Sequence, residues 1–312
     1  MSDVQVTQAL YDSIAESENQ RLRLHPLEYF LTIDALSQYL PLMPDQSGAD
    51  SGSLVESSGA LTAPGWRRKI ADIGGATGTY AFFLADRGEE VHLRDLSPGV
   101  LEIASAKNEE RRQSNKVTQE KGIHGALASI HVGNALDASS LFPSNETGTF
   151  DAVLLLGPLY HLIEEEERRT ALQNALHLLK PSGVLFAAFV SRNAHLRDIA
   201  SKDPGRLVRE KEFYERYLKT GKYIRKGAKN VESYHATLSE ISPLVQGAGG
   251  HVIEIIGTEG ILGGGLDKGL VGANQDVIES WVNIVRELGR QRENLGNADH
   301  WLVVIQKSTT QE

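Results

Sequence analysis

Hydrophobic positions along the chain follow two rhythms. Through the first forty residues apolar side chains recur at helical spacing in "VTQALYDSIAESENQRLRLHPLEYFLTIDALSQYL", and Pro26 divides the stretch into two helices. Residues 44–66 lose this periodicity in a run of Gly, Ser, Pro and Asp, the composition of a flexible loop. From Arg67 onward short apolar runs alternate with amphipathic ones. "RKIADIG", "EVHLRD", "ASIHVGNA", "FDAVLLLG" and "GVLFAAFV" read as strands. Between them, "TYAFFLADRG", "PGVLEIASAKNEERRQ" and Glu164–Leu179 read as helices. Strands separated by helical segments predict βαβ units and a parallel sheet.

After Val190 the alternation stops. Residues 191–235 carry many charges and aromatics ("REKEFYERYLKTGKYIRK") without a strand pattern, which predicts an inserted helical lid. A helix near 236–247, a strand "GGHVIEIIG", a helix near 273–289 and a last strand "HWLVVIQK" restore the earlier rhythm. The reading is one domain: a helical cap (1–43), the loop (44–66), a core (67–190), the lid (191–235) and a return to the core (236–312) with an insertion at 257–297.

Composition narrows what such a domain can serve. With 312 residues and 40% hydrophobic side chains, the chain can bury a full core. A net charge of −9 offers no basic field for phosphate backbones, so nucleic acid is not expected as a partner. The absence of cysteine removes disulfides, thiolate metal sites and cysteine nucleophiles. The polar opening "MSDVQVTQALYDSIAESENQ" has no signal-peptide apolar region, and the longest apolar runs fall far short of the roughly 20 residues that span a bilayer. A cytoplasmic protein without membrane contact is the expectation. No histidine or carboxylate spacing suits a metal, so none is expected. A small molecule remains as the partner class, with room for a homodimer.

The chemistry concentrates in "ADIGGATGTY" (71–80), where an apolar strand ends in Asp72, passes a glycine-rich turn and enters a helix. Gly74, Gly75 and Gly78 let the backbone approach a ligand, and a helix amino end favours an anionic group. A dinucleotide fingerprint needs glycine at i, i+2 and i+5, and neither Gly74 nor Gly75 starts one. The spacing is acidic-x-Gly-x-x-x-Gly instead. It resembles motif I of class I S-adenosylmethionine (SAM)-dependent methyltransferases, with Ala76 at the usual middle glycine. Asp95 ends the next strand, 23 residues after Asp72. A carboxylate there can accept both hydroxyls of a ribose. The resemblance therefore implies Asp95 as ribose anchor, Leu96 beside the adenine, and residues 67–190 as the SAM-binding core. "HVGNALD" holds Asn134 where the family commonly has an acid, so the adenine amine faces Asn134 or Asp137, with Ala135 beside it.

"FDAVLLLGPLYHL" and "HLLKPSGVLFAAFV" resemble the strand-four and strand-five motifs of the same family. The Gly-Pro-Leu-Tyr-His run, the "YDSIAE…HPLEY" opening and the histidine of the last strand resemble small-molecule O-methyltransferases of the natural-product type, including fungal ones that finish indole alkaloids. This resemblance implies a Rossmann-like, seven-stranded, mostly parallel sheet of order 3-2-1-4-5-7-6, helices on both faces and an added helical lid. It implies SAM as cofactor and S-adenosylhomocysteine as product, with Leu156, Gly157 and Tyr11 also at the cofactor. Ligands of such sheets bind outside the carboxyl ends of strands at the switch point, which puts Tyr160 and His161 near the methyl group. An imidazole with a pKa near 6.5 suits a proton acceptor for a hydroxyl. His161 is the first candidate base, with His300 and His235 in reserve. His25, Tyr29, Tyr160 and Tyr234 are candidate acceptor contacts. Phe213, Tyr214, Tyr217, Tyr223, Tyr234 and Trp281 are expected to enclose an aromatic ring system. N-methylation of a small amine, or SAM binding without transfer, are the alternatives.

Overall fold

The strand-length apolar runs pair as expected. In chain order the strands are β1 (Lys69–Ile73), β2 (Glu90–Asp95), β3 (Ser129–Val132), β4 (Phe150–Leu155), β5 (Leu179–Val190), a separate pair β6 (Lys222–Arg225) and β7 (Val231–Tyr234), then β8 (Gly250–Gly257) and β9 (His300–Lys307). Seven of them form one sheet in the order β3-β2-β1-β4-β5-β9-β8. Counted within that sheet this is 3-2-1-4-5-7-6, and only β9 runs antiparallel to its neighbours. The computed structural model describes residues 8–9, 11–12, 24–42, 67–117, 125–225 and 231–308; the expected loop at 44–66 and most of the first N-terminal helix lie outside them.

The helices are α1 (Pro26–Tyr39), α2 (Thr79–Asp86), α3 (Pro98–Val117), α4 (Ala138–Leu141), α5 (Glu165–Leu178), α6 (Arg192–Lys202), α7 (Arg206–Arg209), α8 (Lys211–Thr220), α9 (Leu238–Gly247) and α10 (Gln275–Leu288). Helices cover both faces of the sheet, so its central strands are apolar on both sides and read as continuous runs. Successive residues separate the two faces. Val153, Leu185 and Val303 pack with Leu172 of α5 and Ile241 of α9, while Leu154, Phe186 and Val304 pack with Leu84 of α2, Val100 of α3 and Leu36 of α1. Strand order reverses between β1 and β4, where the following connections diverge and leave a crevice at the carboxyl edge. No helix among the described residues is long and apolar enough to cross a membrane.

The segment 191–235 departs from the reading as helical throughout. It holds α6, α7 and α8, but it also holds β6 and β7 as an antiparallel hairpin. Two four-residue strands offer too short an alternation for periodicity to register. Its own small core is Ile199, Tyr214 and Tyr217, with Phe213 and Tyr223 packed against it. Arg192 ties this unit to the sheet. Its guanidinium donates to the carbonyls of His235 and Leu218 and to both oxygens of Glu240, at 2.8–3.1 Å. Burial alone would raise the Glu240 carboxyl, but bonds from Thr237 N–H, the Tyr234 hydroxyl and Arg192 together hold it below the usual range.

Removing one partner of such a pair strands the other, at a cost of about 3–5 kcal/mol where the pair is buried; Glu240 is partly solvated, so about half of that is expected. Arg192→Ala should lose stability by that amount in denaturant unfolding. In hydrogen exchange the loss of protection should fall on 192–236 while β1 and β4 keep theirs.

Candidate functional site

The crevice at the switch point is a cavity of about 130 Å³, lined by the ends of β1, β2, β3 and β4. Most of the residues singled out from sequence meet there: Tyr11, Asp72, Gly74, Gly75, Ala76, Asp95, Leu96, Asn134, Ala135, Leu156, Gly157, Tyr160 and His161. Gly78 stands just behind, at the amino end of α2.

The turn after β1 is shaped by close approach. Gly74 has φ +72°, and a Cβ on it would come within 2.5 Å of the Pro158 ring. A Cβ on Gly75 would overlap the Asp72 carboxylate and Leu93. Ala76 is the single described residue other than glycine with positive φ, at 48°. An L-residue there costs about 1–2 kcal/mol. The Ala76 N–H donates to Asp95 Oδ2 at 2.9 Å, and the Ser97 N–H donates to Asp95 Oδ1 at 2.9 Å. Asp95 thereby joins the turns after β1 and β2.

Asp72 is the electrostatic anomaly. It is buried, and neither carboxylate oxygen has a hydrogen bond of normal geometry. Burial first, and then the neighbouring Asp95 charge, push it up to about 7; attraction to the Ala81 N–H only partly opposes this. An acid raised from 3.8 to about 7 carries an ionisation penalty on the order of 4 kcal/mol. Two carboxylates on one cavity wall, one of them lacking a bond, fit a ligand that brings positive charge and hydroxyl donors. SAM is a molecule with both kinds of group: an ammonium and a sulfonium carry positive charge, and its ribose carries hydroxyl donors.

After the third strand Asn134 and Asp137 take different places. Asn134 lines the cavity, its Oδ1 accepting from Leu136 N–H at 3.0 Å. Asp137 instead caps α4 through Ser139, outside the cavity. Gln8, Thr77, Tyr80, Ser97, Leu162 and Glu167 also line the crevice and were not singled out from sequence. Thr77, Tyr80 and Leu162 fall within the glycine-turn and strand-four motifs at positions those motifs leave open, and Ser97 follows Asp95 by two residues.

His161 differs from the expectation of an unperturbed imidazole. Its Nε2 faces the Tyr11 hydroxyl at 2.7 Å. Burial pushes it down to about 4, which a backbone bond to Glu232 only partly offsets. The reserve candidate His300 has another partner: its Nδ1 lies 2.5 Å from Glu259 Oε1. His300 lines a second, smaller cavity with Glu28, Thr32, Tyr80, Leu156, Tyr160, Ala188, Thr258, Trp301 and Leu302. The two cavities share Tyr80, Leu156 and Tyr160.

Four candidates lie outside both cavities. His235 bonds Tyr217 and Ser233 within the small core of 191–235, and burial pushes it down to about 3. Tyr234 donates to Glu240 beneath the Arg168 guanidinium. His25 pairs with Asp267 at 3.2 Å, and Tyr29 stacks near Tyr80. The aromatic enclosure is likewise absent from the cavities: Phe213, Tyr214, Tyr217 and Tyr223 pack on one another, and Trp281 packs against Leu27, Leu31 and Val285. A unit distant from the main core must bury its own apolar side chains, and these rings do that. Among the described residues, Glu28, Glu259 and His300 form one trio with the donor types of a metal site, which the sequence did not suggest.

Strand order and the switch-point cavity define the class I methyltransferase architecture, a Rossmann-like sheet with helices on both faces. Residues 71–185 match the family model described as a methyltransferase domain. A SAM-dependent methyltransferase of Methanosarcina mazei is similar in structure, with 18% identity, a TM-score of 0.50, and coverage of 78% of this chain and 93% of that one. The CcbJ methyltransferase of Streptomyces caelestis is similar at 14% identity and TM-score 0.47, covering 78% of this chain and 84% of that one. No curated protein matches the sequence. The domain match and the fold agree: residues 71–185 are similar to methyltransferase domains and lie in a Rossmann-like sheet of that architecture.

Asp72 should then oppose stability while serving binding. The folded chain holds its proton up to about pH 7, whereas the unfolded chain releases it near 3.8. This stabilising protonation is complete below 3.8 and is lost as pH rises toward 7. Asp72→Asn should therefore raise unfolding free energy at pH 8 by a few kcal/mol and change it little near pH 4. SAM affinity by calorimetry should fall in the same variant.

His161 has the opposite sign. Its pKa drops from 6.5 unfolded to about 4 folded, so its contribution is full above 6.5 and is lost as pH falls toward 4. At pH 5, unfolding of His161→Gln should take up about one proton fewer than the parent chain, read from the slope of stability against pH.

Proposed function

We propose that the protein moves a methyl group from SAM to a hydroxyl of a small, largely apolar acceptor of the natural-product type, with a histidine taking up the hydroxyl proton. The observation that carries the cofactor half is the unbonded, buried Asp72 beside Asp95 at the switch point. When bound there, SAM supplies an activated methyl group on a sulfonium. Asp95 holds the ribose and orients the cofactor along β2. Tyr160 and Leu156, common to both cavities, stand where the two reactants meet. Fixing that alignment can account for about 7–11 kcal/mol of the barrier.

The acceptor half rests on the second cavity. Leu156, Ala188, Trp301 and Leu302 make its wall apolar, and its polar end carries an imidazole. A hydroxyl needs a proton acceptor as it attacks, whereas an already nucleophilic thiol does not. The cavity is small, about 30 Å³ against about 130 Å³ for the first, so it admits the reacting edge of an acceptor rather than a large ring system.

The test is incubation with methyl-labelled SAM and a panel of phenols, enols, N-hydroxy compounds and amines. Label should move to oxygen, with S-adenosylhomocysteine formed in equal amount. Label on nitrogen alone would replace the hydroxyl reading, and SAM binding without turnover of any acceptor would reduce the protein to a binder. Asp95→Ala should weaken SAM binding by about 1–3 kcal/mol in calorimetry, because hydroxyl bonds to a charged acceptor are lost.

A further inference from the structure

Where β8 ends and β9 begins, Glu28 of α1, Glu259 after β8 and His300 at the start of β9 converge. Because β9 alone runs antiparallel, its amino end arrives at the edge where the other strands end. Glu259 is only 1% exposed, and its Oε2 accepts the backbone N–H groups of Asp299 and His300, each at 3.0 Å. Its Oε1 lies 2.5 Å from His300 Nδ1. A carboxylate pinned by two backbone donors cannot swing away. It fixes the imidazole plane and draws the ring proton to Nδ1, so the lone pair of the neutral ring resides on Nε2. Glu28 Oε2 lies 4.0 Å from the same Nδ1, so positive charge on the ring is flanked by two carboxylates.

The same three side chains have the donor types of metal ligands, but the Glu259–His300 spacing is shorter than that of two ligands on one ion. Two donors bound to one zinc ion at about 2.0–2.2 Å with tetrahedral angles stand about 3.3 Å apart. The observed 2.5 Å is the separation of a short, charge-assisted hydrogen bond. With Nδ1 as donor, the Glu259–His300 contact is a hydrogen bond. His161, by contrast, is half-buried with its Nε2 against the Tyr11 hydroxyl, and desolvation pushes it down to about 4.

We propose that His300 is the proton acceptor of the reaction, that Glu259 is its positioning residue, and that the small cavity lined by His300 receives the hydroxyl edge of the acceptor. This rests on the methyl-transfer reading. As the acceptor oxygen forms its bond to the methyl carbon, the carbon–sulfur electron pair returns to sulfur and the hydroxyl proton passes to Nε2. The products are an ether, a neutral thioether and an imidazolium held between Glu259 and Glu28.

The first test needs no acceptor. In the full chain with ¹⁵N-labelled histidine and S-adenosylhomocysteine added, long-range ¹⁵N spectra report which ring nitrogen of neutral His300 carries the proton. Nδ1–H with an unprotonated Nε2 is expected. An Nε2–H tautomer overturns the proposal whatever the acceptor proves to be. The second test compares phenol with 4-nitrophenol, which is already an anion at mildly alkaline pH. With phenol, His300→Gln should lower kcat about 10²–10⁴-fold, and the loss should shrink sharply with 4-nitrophenol. Glu259→Gln should cost about 10–100-fold in kcat with SAM affinity kept. Equal losses on both phenols would overturn the proposal, because a merely structural role does not respond to acceptor ionisation. Failure of S-adenosylhomocysteine to bind the parent chain would fall on the cofactor reading instead.

Discussion

The structure is organised around two carboxylates that end neighbouring strands and repel each other. Asp72 and Asp95 line one cavity, and their mutual repulsion adds to burial in raising Asp72. Everything adjacent accommodates this arrangement. Gly75 has no Cβ because the Asp72 carboxylate and Leu93 occupy that space. Gly74 lies against Pro158, so the turns after β1 and β4 touch, and Ala76 takes a left-handed conformation that aims its N–H at Asp95. The backbone strain at Ala76, of about 1–2 kcal/mol, is smaller than the penalty on an unmatched buried carboxylate. The demand for ligand charge outweighs the strain, and the loop geometry follows it.

Topology then divides the work across the sheet. β1, β2 and β3 present the acidic and amide groups of the cofactor side, while β5, β8 and β9 present the apolar wall and the Glu259–His300 pair. β4 lies between, and its following turn supplies Leu156 and Tyr160 to both cavities. One reversed strand matters here. Were β9 parallel to β5, His300 would sit at the opposite edge of the sheet, a full strand length from the reacting groups.

Legibility in the sequence tracked the range of the interactions involved. β1 through β5 were readable because each is a local apolar run, and the glycine turn because spacing alone defines it. Asp95 could be singled out because its place at the end of the next strand, 23 residues after Asp72, is itself a spacing. The hairpin of 222–234 was not readable, since four-residue strands carry no period. Glu259 was invisible for another reason: its contacts are with residues 40 and 41 positions away, through backbone N–H groups that no pattern encodes. The same holds for His161, whose pKa is set by burial and not by its neighbours in the chain. The aromatic run of 213–223 misled because composition cannot tell a ligand cage from a small core; packing decides it, and these rings pack on each other.

Under the proposed reaction the charge distribution also drives the cycle in one direction. Before transfer Asp72 and Asp95 face a ligand with net positive charge; afterwards they face a neutral thioether, with one ammonium and one carboxylate. The positive charge has moved, as a proton, to the side of the sheet where Glu28 and Glu259 lie within 4.0 Å of His300 Nδ1. Asp72 is then again without the sulfonium that offset its burial, and with a pKa near 7 it can take a proton from solvent. Product binding weakens on the cofactor side at the moment the acceptor side gains a charge it is built to hold.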